Sequence, residues 1–149
     1  MANPSKGISI LELLVVMAII GILAGLGVVN LPRDRFAVNQ AAEGLARDVQ
    51  LARFEAIRRN TFVDLQIDQA ANRYQILEEE SRQVIKSVGL GGTGTPRVEI
   101  GEVSNGGVIS FDPRGIGVGA AGTDVVFRTP TGNYTRTVLI NPQGRASIE

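Results

Sequence analysis

The 149-residue sequence predicts an α+β protein in which a long N-terminal helix, first transmembrane and then amphipathic, packs on a β-rich head of two antiparallel sheets. Three observations carry that expectation. Ile8 to Val29 is an apolar stretch with one charged residue, Glu12. Val38 to Asn60 repeats its apolar residues at steps of three and four. After Asn60 the helical period gives way to short alternating runs separated by glycine, proline, asparagine and acidic clusters. The length suits one modest core, so a single head is expected.

The segment ISILELLVVMAIIGILAGLGVV (Ile8 to Val29) spans about 33 Å as a helix at ~1.5 Å per residue, against ~30 Å of hydrocarbon in a bilayer. A conventional secretory signal cut after Gly27 is the competing reading, although its apolar region is ordinarily only about 7 to 15 residues long. Glu12 is the one charge inside this run. A carboxylate in hydrocarbon costs roughly 2.5 to 3.5 kcal/mol without a partner. It has two ways out: pairing with a cation, or snorkelling to water from a position near the membrane edge. Gly21 and Gly25 form a GxxxG pair, and with Gly27 and Pro32 they predict a weak, kinked or broken stretch.

Ahead of the apolar run stands a polar leader, MANPSKG, ending in Lys6 and Gly7. A basic residue, a glycine, an apolar residue, then glutamate as the fifth residue after the glycine resembles the leader signature of type IV pilins and pseudopilins. The resemblance implies cleavage after Gly7 by a prepilin peptidase and N-methylation of the new terminus, Ile8. It also implies pairing of that amino group with Glu12 of the same or a neighbouring subunit, which would set the register of assembly. Ile8 departs from the phenylalanine or methionine more usual there.

In the amphipathic segment Val38, Ala42, Leu45, Val49, Ala52 and Ala56 form one stripe for packing on the head, while Leu51, Phe54 and Ile57 point away from it. That second set suits either neighbouring subunits or a further cover from the same head. Gly44 weakens the helix by ~1 kcal/mol relative to alanine. Glu55 and Arg59 are spaced for an i,i+4 ion pair, and Asn60 for a helix stop. The run LARFEAIRRNTFVDL (Leu51 to Leu65) resembles the ARxEAIxRN segment, followed by an apolar strand, of the FimT and GspH family of minor pilins and pseudopilins. Ala52, Arg53, Glu55, Ala56, Ile57, Arg59 and Asn60 fit it.

Eight strands are expected in the head: Thr61–Ile67, Arg73–Glu79, Gln83–Val88, Arg97–Val103, Val108–Phe111, Val125–Arg128, Tyr134–Ile140 and Ala146–Ile148. Short strands with frequent turns suit two packed antiparallel sheets. ISFDPRGIG (Ile109 to Gly117) and TVLINPQGRASI (Thr137 to Ile148) resemble the second half of the same family. The resemblance implies a leader at 1–7, a transmembrane and assembly helix at 8–31, an amphipathic joining helix at 32–60 and the head at 61–149.

Formal charge is zero, with no polybasic run, and histidine and cysteine are both absent. The commonest general base, the commonest metal ligand, thiol chemistry and disulfides are thereby excluded, so no enzyme, metal site or cofactor is expected. Gly89, Gly91 and Gly94 spell GxGxxG but lead into Thr95 and Pro96 with no helix to follow. Gly115, Gly117 and Gly119 fail as a phosphate loop for the same reason. Consecutive Glu78, Glu79 and Glu80 alternate faces in a strand, and Asp64 with Asp68 lacks the spacing of a calcium loop.

The resemblance implies a structural subunit of a type IV pilus or type II secretion pseudopilus. Its partners would be other pilins or pseudopilins, the prepilin peptidase, the inner-membrane assembly platform and, before assembly, membrane lipid. A single pass through the bacterial inner membrane with the head outside the cytoplasm is implied as well. The alternative is DNA capture in natural transformation, which some FimT-type pilins perform through a C-terminal Gly-Arg-x-Arg tail. Gly144 and Arg145 match half of that tail, before Ala146 and Ser147 depart from it. Arg114, Arg128, Arg136 and Arg145 are the candidate DNA-binding side chains, offset by Asp112, Asp124 and Glu149.

Overall fold

The computed structural model describes residues 9–29, 33–91, 97–118 and 122–149, with the side chains of all these but 25–29. Two helices, α1 (Ile10–Val29) and α2 (Arg33–Arg59), precede nine strands. These are β1 (Val63–Asp68), β2 (Arg73–Glu78), β3 (Val84–Gly89), β4 (Glu99–Val103), β5 (Val108–Phe111), β6 (Gly117–Val118), β7 (Thr123–Arg128), β8 (Thr135–Ile140) and β9 (Ala146–Ile148). The chain forms two compact units, residues 1–32 and 33–149.

In the second unit one sheet has the order β3-β2-β1-β5-β6 and the other β4-β7-β8-β9, with every pairing antiparallel. The chain meanders through β1, β2 and β3 and gives β4 to the second sheet. It then returns for β5 and β6 and completes the second sheet with β7, β8 and β9. Period-two alternation is clearest on β7, where Thr123, Val125 and Phe127 are buried and Asp124 and Arg128 exposed. Helix α2 packs on strands of both sheets. Its Val38, Ala42, Leu45, Val49, Ala52 and Ala56 reach zero exposure against Val63, Leu65, Ile76, Phe111, Phe127 and Val138.

All six residues of the expected stripe are thus core. The helix starts five residues before Val38, because Arg33 to Phe36 are exposed and a burial period is blind to a turn that buries nothing. Of the second set Leu51 takes its cover from the same head, half-buried against the core, whereas Phe54 and Ile57 remain 59% and 48% exposed. Asn60 stops the helix as expected. It adopts φ 53°, its N–H bonds Ile57 O at 3.3 Å, and Thr61 N–H bonds Ala56 O at 3.2 Å, which is the Schellman pattern.

The eight expected strands all form, within two residues at their ends. The ninth, β6, was not expected. It has two residues, too few to show alternation, and it exists through pairing with Ser110 and Phe111. Polar side chains lock the sheets together. Asn72, at φ 48°, accepts from Ile100 N–H at 2.9 Å and donates to Val98 O at 2.8 Å, while the Gln69 side chain donates to Gly101 O. The turn joining β1 and β2 in one sheet is therefore pinned to β4 of the other.

Candidate functional site

Helix α1 opens with Leu13 N–H bonding Ser9 O at 3.1 Å, so Glu12 stands in its first turn, where the helix dipole favours an anion. Every side chain from Ile10 to Ala24 is exposed, with Ile10 at 82% and Met17 at 63%. These residues are apolar on all sides, which marks a helix that requires an apolar environment from elsewhere. Glu12 is the only charged residue of α1.

The helix runs past Gly21, Gly25 and Gly27 without interruption, and an added Cβ at Gly21 would meet open space. Any break at residues 30–32, and the processing pair Gly7 and Ile8, lie outside the described residues. No helix of the described residues is long and apolar enough to cross a membrane; in α1 the described side chains end at Ala24.

The end of α2 is built around Glu55, whose side chain is only 11% exposed. Arg58 engages it through Nη2 at 2.6 Å and Nε at 3.1 and 3.2 Å, and Arg59 through Nε at 2.8 Å. The expected Glu55–Arg59 pair exists but is shared with Arg58. These hydrogen bonds, Arg58's first and then Arg59's, hold the Glu55 carboxyl below its usual range despite the burial that opposes them. Arg59 also donates to Gln83 Oε1 at 3.3 Å, tying the helix end to the strand region.

A second cluster was invisible in the sequence. Asp48, on the buried face of α2, accepts from Tyr74 Oη of β2 at 2.8 Å and from Lys86 Nζ of β3 at 2.6 Å. Burial, together with the Asp48 carboxylate, pushes the Tyr74 hydroxyl well above its ordinary value. Asp64 is likewise buried and accepts from Ser110 Oγ at 2.5 Å, while Asp68 receives Ala71 N–H at 2.9 Å. Both aspartates are thus used within the fold. Among the described residues no group of histidine, cysteine, aspartate and glutamate is placed to hold a metal.

The four candidate DNA-binding arginines divide between two places. Arg128 pairs with Glu99 at 3.2 Å, and Arg136 donates through Nε to Asn39 Oδ1 and Tyr134 Oη, both at 3.0 Å. Both lie at the end of the second sheet where Arg128 is paired with Thr135. Arg145 follows β8 at its opposite end, and Arg136 to Ile140 alone spans roughly 13 Å at ~3.3 Å per residue.

Arg145 and Arg114 sit on turns that both seat on α2. Gln50 Nε2 donates to Gly144 O at 3.1 Å, and Gly115 comes so close to α2 that an added Cβ would stand 2.7 Å from Ile57 Cδ1 and 3.0 Å from Arg53 Cγ. Among the described residues Arg53, Arg114 and Arg145 form no ion pair.

Comparison with known proteins matches this arrangement. Residues 41–144 fit the family of the type II transport protein GspH, and residues 2–28 fit the prokaryotic N-terminal methylation motif. The chain is 38% identical over 157 aligned residues to the pilin-like protein PilA1 of Thermus thermophilus, covering 97% of this chain and 98% of that one. Its fold is similar to that of the type IV minor pilin FimU of Pseudomonas aeruginosa, with a TM-score of 0.62, 18% identity, and coverage of 77% of this chain and 90% of that one. It is also similar to the minor pseudopilin EpsH from the type 2 secretion system of Vibrio cholerae, with a TM-score of 0.50, 14% identity, and coverage of 75% and 95%. The chain belongs to the GspH family and is a type IV minor pilin or pseudopilin, a structural subunit and not an enzyme.

Proposed function

We propose that this chain is made with residues 1–7 as a leader, cut after Gly7 by a prepilin peptidase, and N-methylated on Ile8. Residues 8–31 then hold it as a single pass in the bacterial inner membrane, with the head outside the cytoplasm. An inner-membrane assembly platform passes it into a type IV pilus or a type II secretion pseudopilus, where the N-terminal helix packs among those of other pilins. One observation carries this: α1 is exposed and apolar on every side from Ile10 to Ala24 except at Glu12. Twenty residues of helix span ~30 Å at ~1.5 Å each, which suits a bilayer. The residual charge then needs a cation, and the amino group freed at Ile8 is one turn away in sequence.

The mass of the mature protein's first peptide tests the processing step: a methylated Ile8 terminus is expected, and a chain that begins beyond Val29 would remove the assembly helix altogether. Replacing Glu12 with alanine tests the register step. Incorporation into the filament should fall to background while the head unfolds at an unchanged temperature; undiminished incorporation would end the pairing hypothesis.

A second reading, DNA capture, draws on Arg114 and Arg145 seated together on α2 beside Arg53. Unpaired guanidinia on neighbouring turns suit phosphates. Retention of DNA that weakens with salt and is lost in Arg114→Gln/Arg145→Gln would support it; no salt-sensitive retention by the wild-type protein would dismiss it.

A further inference from the structure

Arg35, in the first turns of α2, places its Cζ 5.4 Å from the centroid of the Tyr134 ring, and Arg136 of β8 places its own at 5.6 Å. Two cations on one tyrosine repel each other, so the pair needs either an anion or a rigid frame. The frame is visible: Asn39 Oδ1 accepts from both Tyr134 Oη and Arg136 Nε, each at 3.0 Å, and Arg136 Nε also reaches Tyr134 Oη at 3.0 Å.

Among the described residues no carboxylate pairs with either guanidinium. The ion pairs among the described residues include neither Arg35 nor Arg136, although Asp34 adjoins Arg35 and Glu149 pairs through its backbone with Thr137. The terminal nitrogens of both guanidinia make no hydrogen bond among the described residues. Arg136 is fixed by Asn39 and Tyr134 and Arg35 rests on the same ring, and planar donors with unspent terminal nitrogens are what phosphate recognition uses.

We propose that Arg35 and Arg136, held about Tyr134 and Asn39, form a clamp for the phosphate of an anionic phospholipid headgroup. The inference rests on the membrane-embedded reading of α1 given above. In the chain Arg35 follows Val29, the last residue of α1, by six positions, a reach of no more than about 22 Å. With α1 held in the membrane, that chain length bounds how far the start of α2 can stand from the headgroup layer. Phe36, 65% exposed in the same turn, adds an apolar side chain that the boundary between headgroups and acyl chains can bury.

The clamp holds the head near the membrane before assembly and is released when the subunit leaves the lipid. It also gives Arg136 a role separate from the DNA reading.

The full-length chain in non-ionic detergent is titrated with phosphatidylglycerol, phosphatidylcholine, inorganic phosphate or a DNA duplex, and bound species are counted by native mass spectrometry. Preferential retention of phosphatidylglycerol is expected, falling about fivefold in Arg35→Gln and further in Arg35→Gln/Arg136→Gln. Arg145→Gln, a charge removed at the other end of β8, should leave the preference intact.

Equal retention of both lipids by the wild-type chain, or an equal loss in Arg145→Gln, overturns the proposal. Displacement of the lipid by millimolar inorganic phosphate overturns the lipid assignment, as does duplex binding that depends on Arg35 and Arg136. Thermal unfolding identifies any variant that fails to fold, and Arg35→Gln, at an exposed residue, then carries the test alone. Alkaline extraction from membranes is scored in parallel: release of the chain sinks the embedded helix, whereas a retained chain without lipid preference sinks only the clamp.

Discussion

The two helices of this chain are both rich in apolar residues and spend them in opposite ways. Helix α2 buries one stripe at zero exposure against two sheets and leaves Phe36 and Phe54 outside. Helix α1 exposes apolar side chains in every direction as far as they are described, and none of them belongs to the core cluster. The described side chains of α1 therefore contribute nothing to the head's core cluster. The exchange of lipid for neighbouring helices proposed above would draw on that difference, since the anchor would change surroundings while the head stays folded.

The largest expected effect that would break the contrast lies in the α2 stripe. Leu45→Ala should cost the head ~2 to 5 kcal/mol, read as a fall in denaturant midpoint. Leu14→Ala in α1 should leave that midpoint in place, and an equal loss there would mean that α1 shares the head's core.

Next comes Gly144→Ala. Gly144 has φ +74°, and a Cβ there would stand 2.6 Å from Phe111 Cε1, so strain and overpacking together should cost ~2 kcal/mol or more. An unchanged melting temperature would show that the 141–145 turn is not seated on the core as described.

Asp48→Ala leaves the buried Tyr74 hydroxyl without its acceptor and Lys86 without its partner, at a cost of ~1 to 3 kcal/mol. Asp48→Asn, which keeps an acceptor for Tyr74, should lose less. Equal losses would make the lysine, and not the tyrosine, the important partner.

The smallest effect is the pH response of the α2 terminus. Because Arg58 and Arg59 hold the folded Glu55 carboxyl below its ordinary 4.5, its contribution is fully present above that value and is lost as pH falls through the lower, folded one. The partners are partly solvated, so the effect should not exceed about 1 kcal/mol. Comparing wild type with Glu55→Gln in thermal unfolding from pH 6 to pH 3 checks it: the wild type should lose its advantage only at the acid end, and a constant difference would assign the site a packing role.

Legibility in the sequence followed burial. The α2 stripe could be read because six residues face one core at helical spacing, and strand positions such as Val125, Phe127, Val138 and Ile140 because alternation reports a single buried face. The period itself begins only at Val38, since the exposed Arg33 to Phe36 carry none; their place in a helix over 32–60 came from the resemblance. Which of its two expected covers Leu51 takes stayed open, because half-burial on the flank of a helix depends on which sheet lies beside it. Glu12 stands out for a different reason: one charge in an apolar run is a local anomaly that needs no fold to be noticed.

What the sequence by itself determined is whatever acts within a few residues or along one periodic face. That covers the apolar helix and its single carboxylate, the amphipathic stripe, the Asn60 stop and most strands. Tertiary structure alone decided which distant polar groups meet: Asp48 with Tyr74 and Lys86, Asn72 across the two sheets, and Arg35 with Arg136 on one tyrosine ring. The physical reason is range. Hydrogen bonds and cation–π contacts act over a few ångströms between residues up to a hundred positions apart, and only the packing of α2 across both sheets brings such residues within reach.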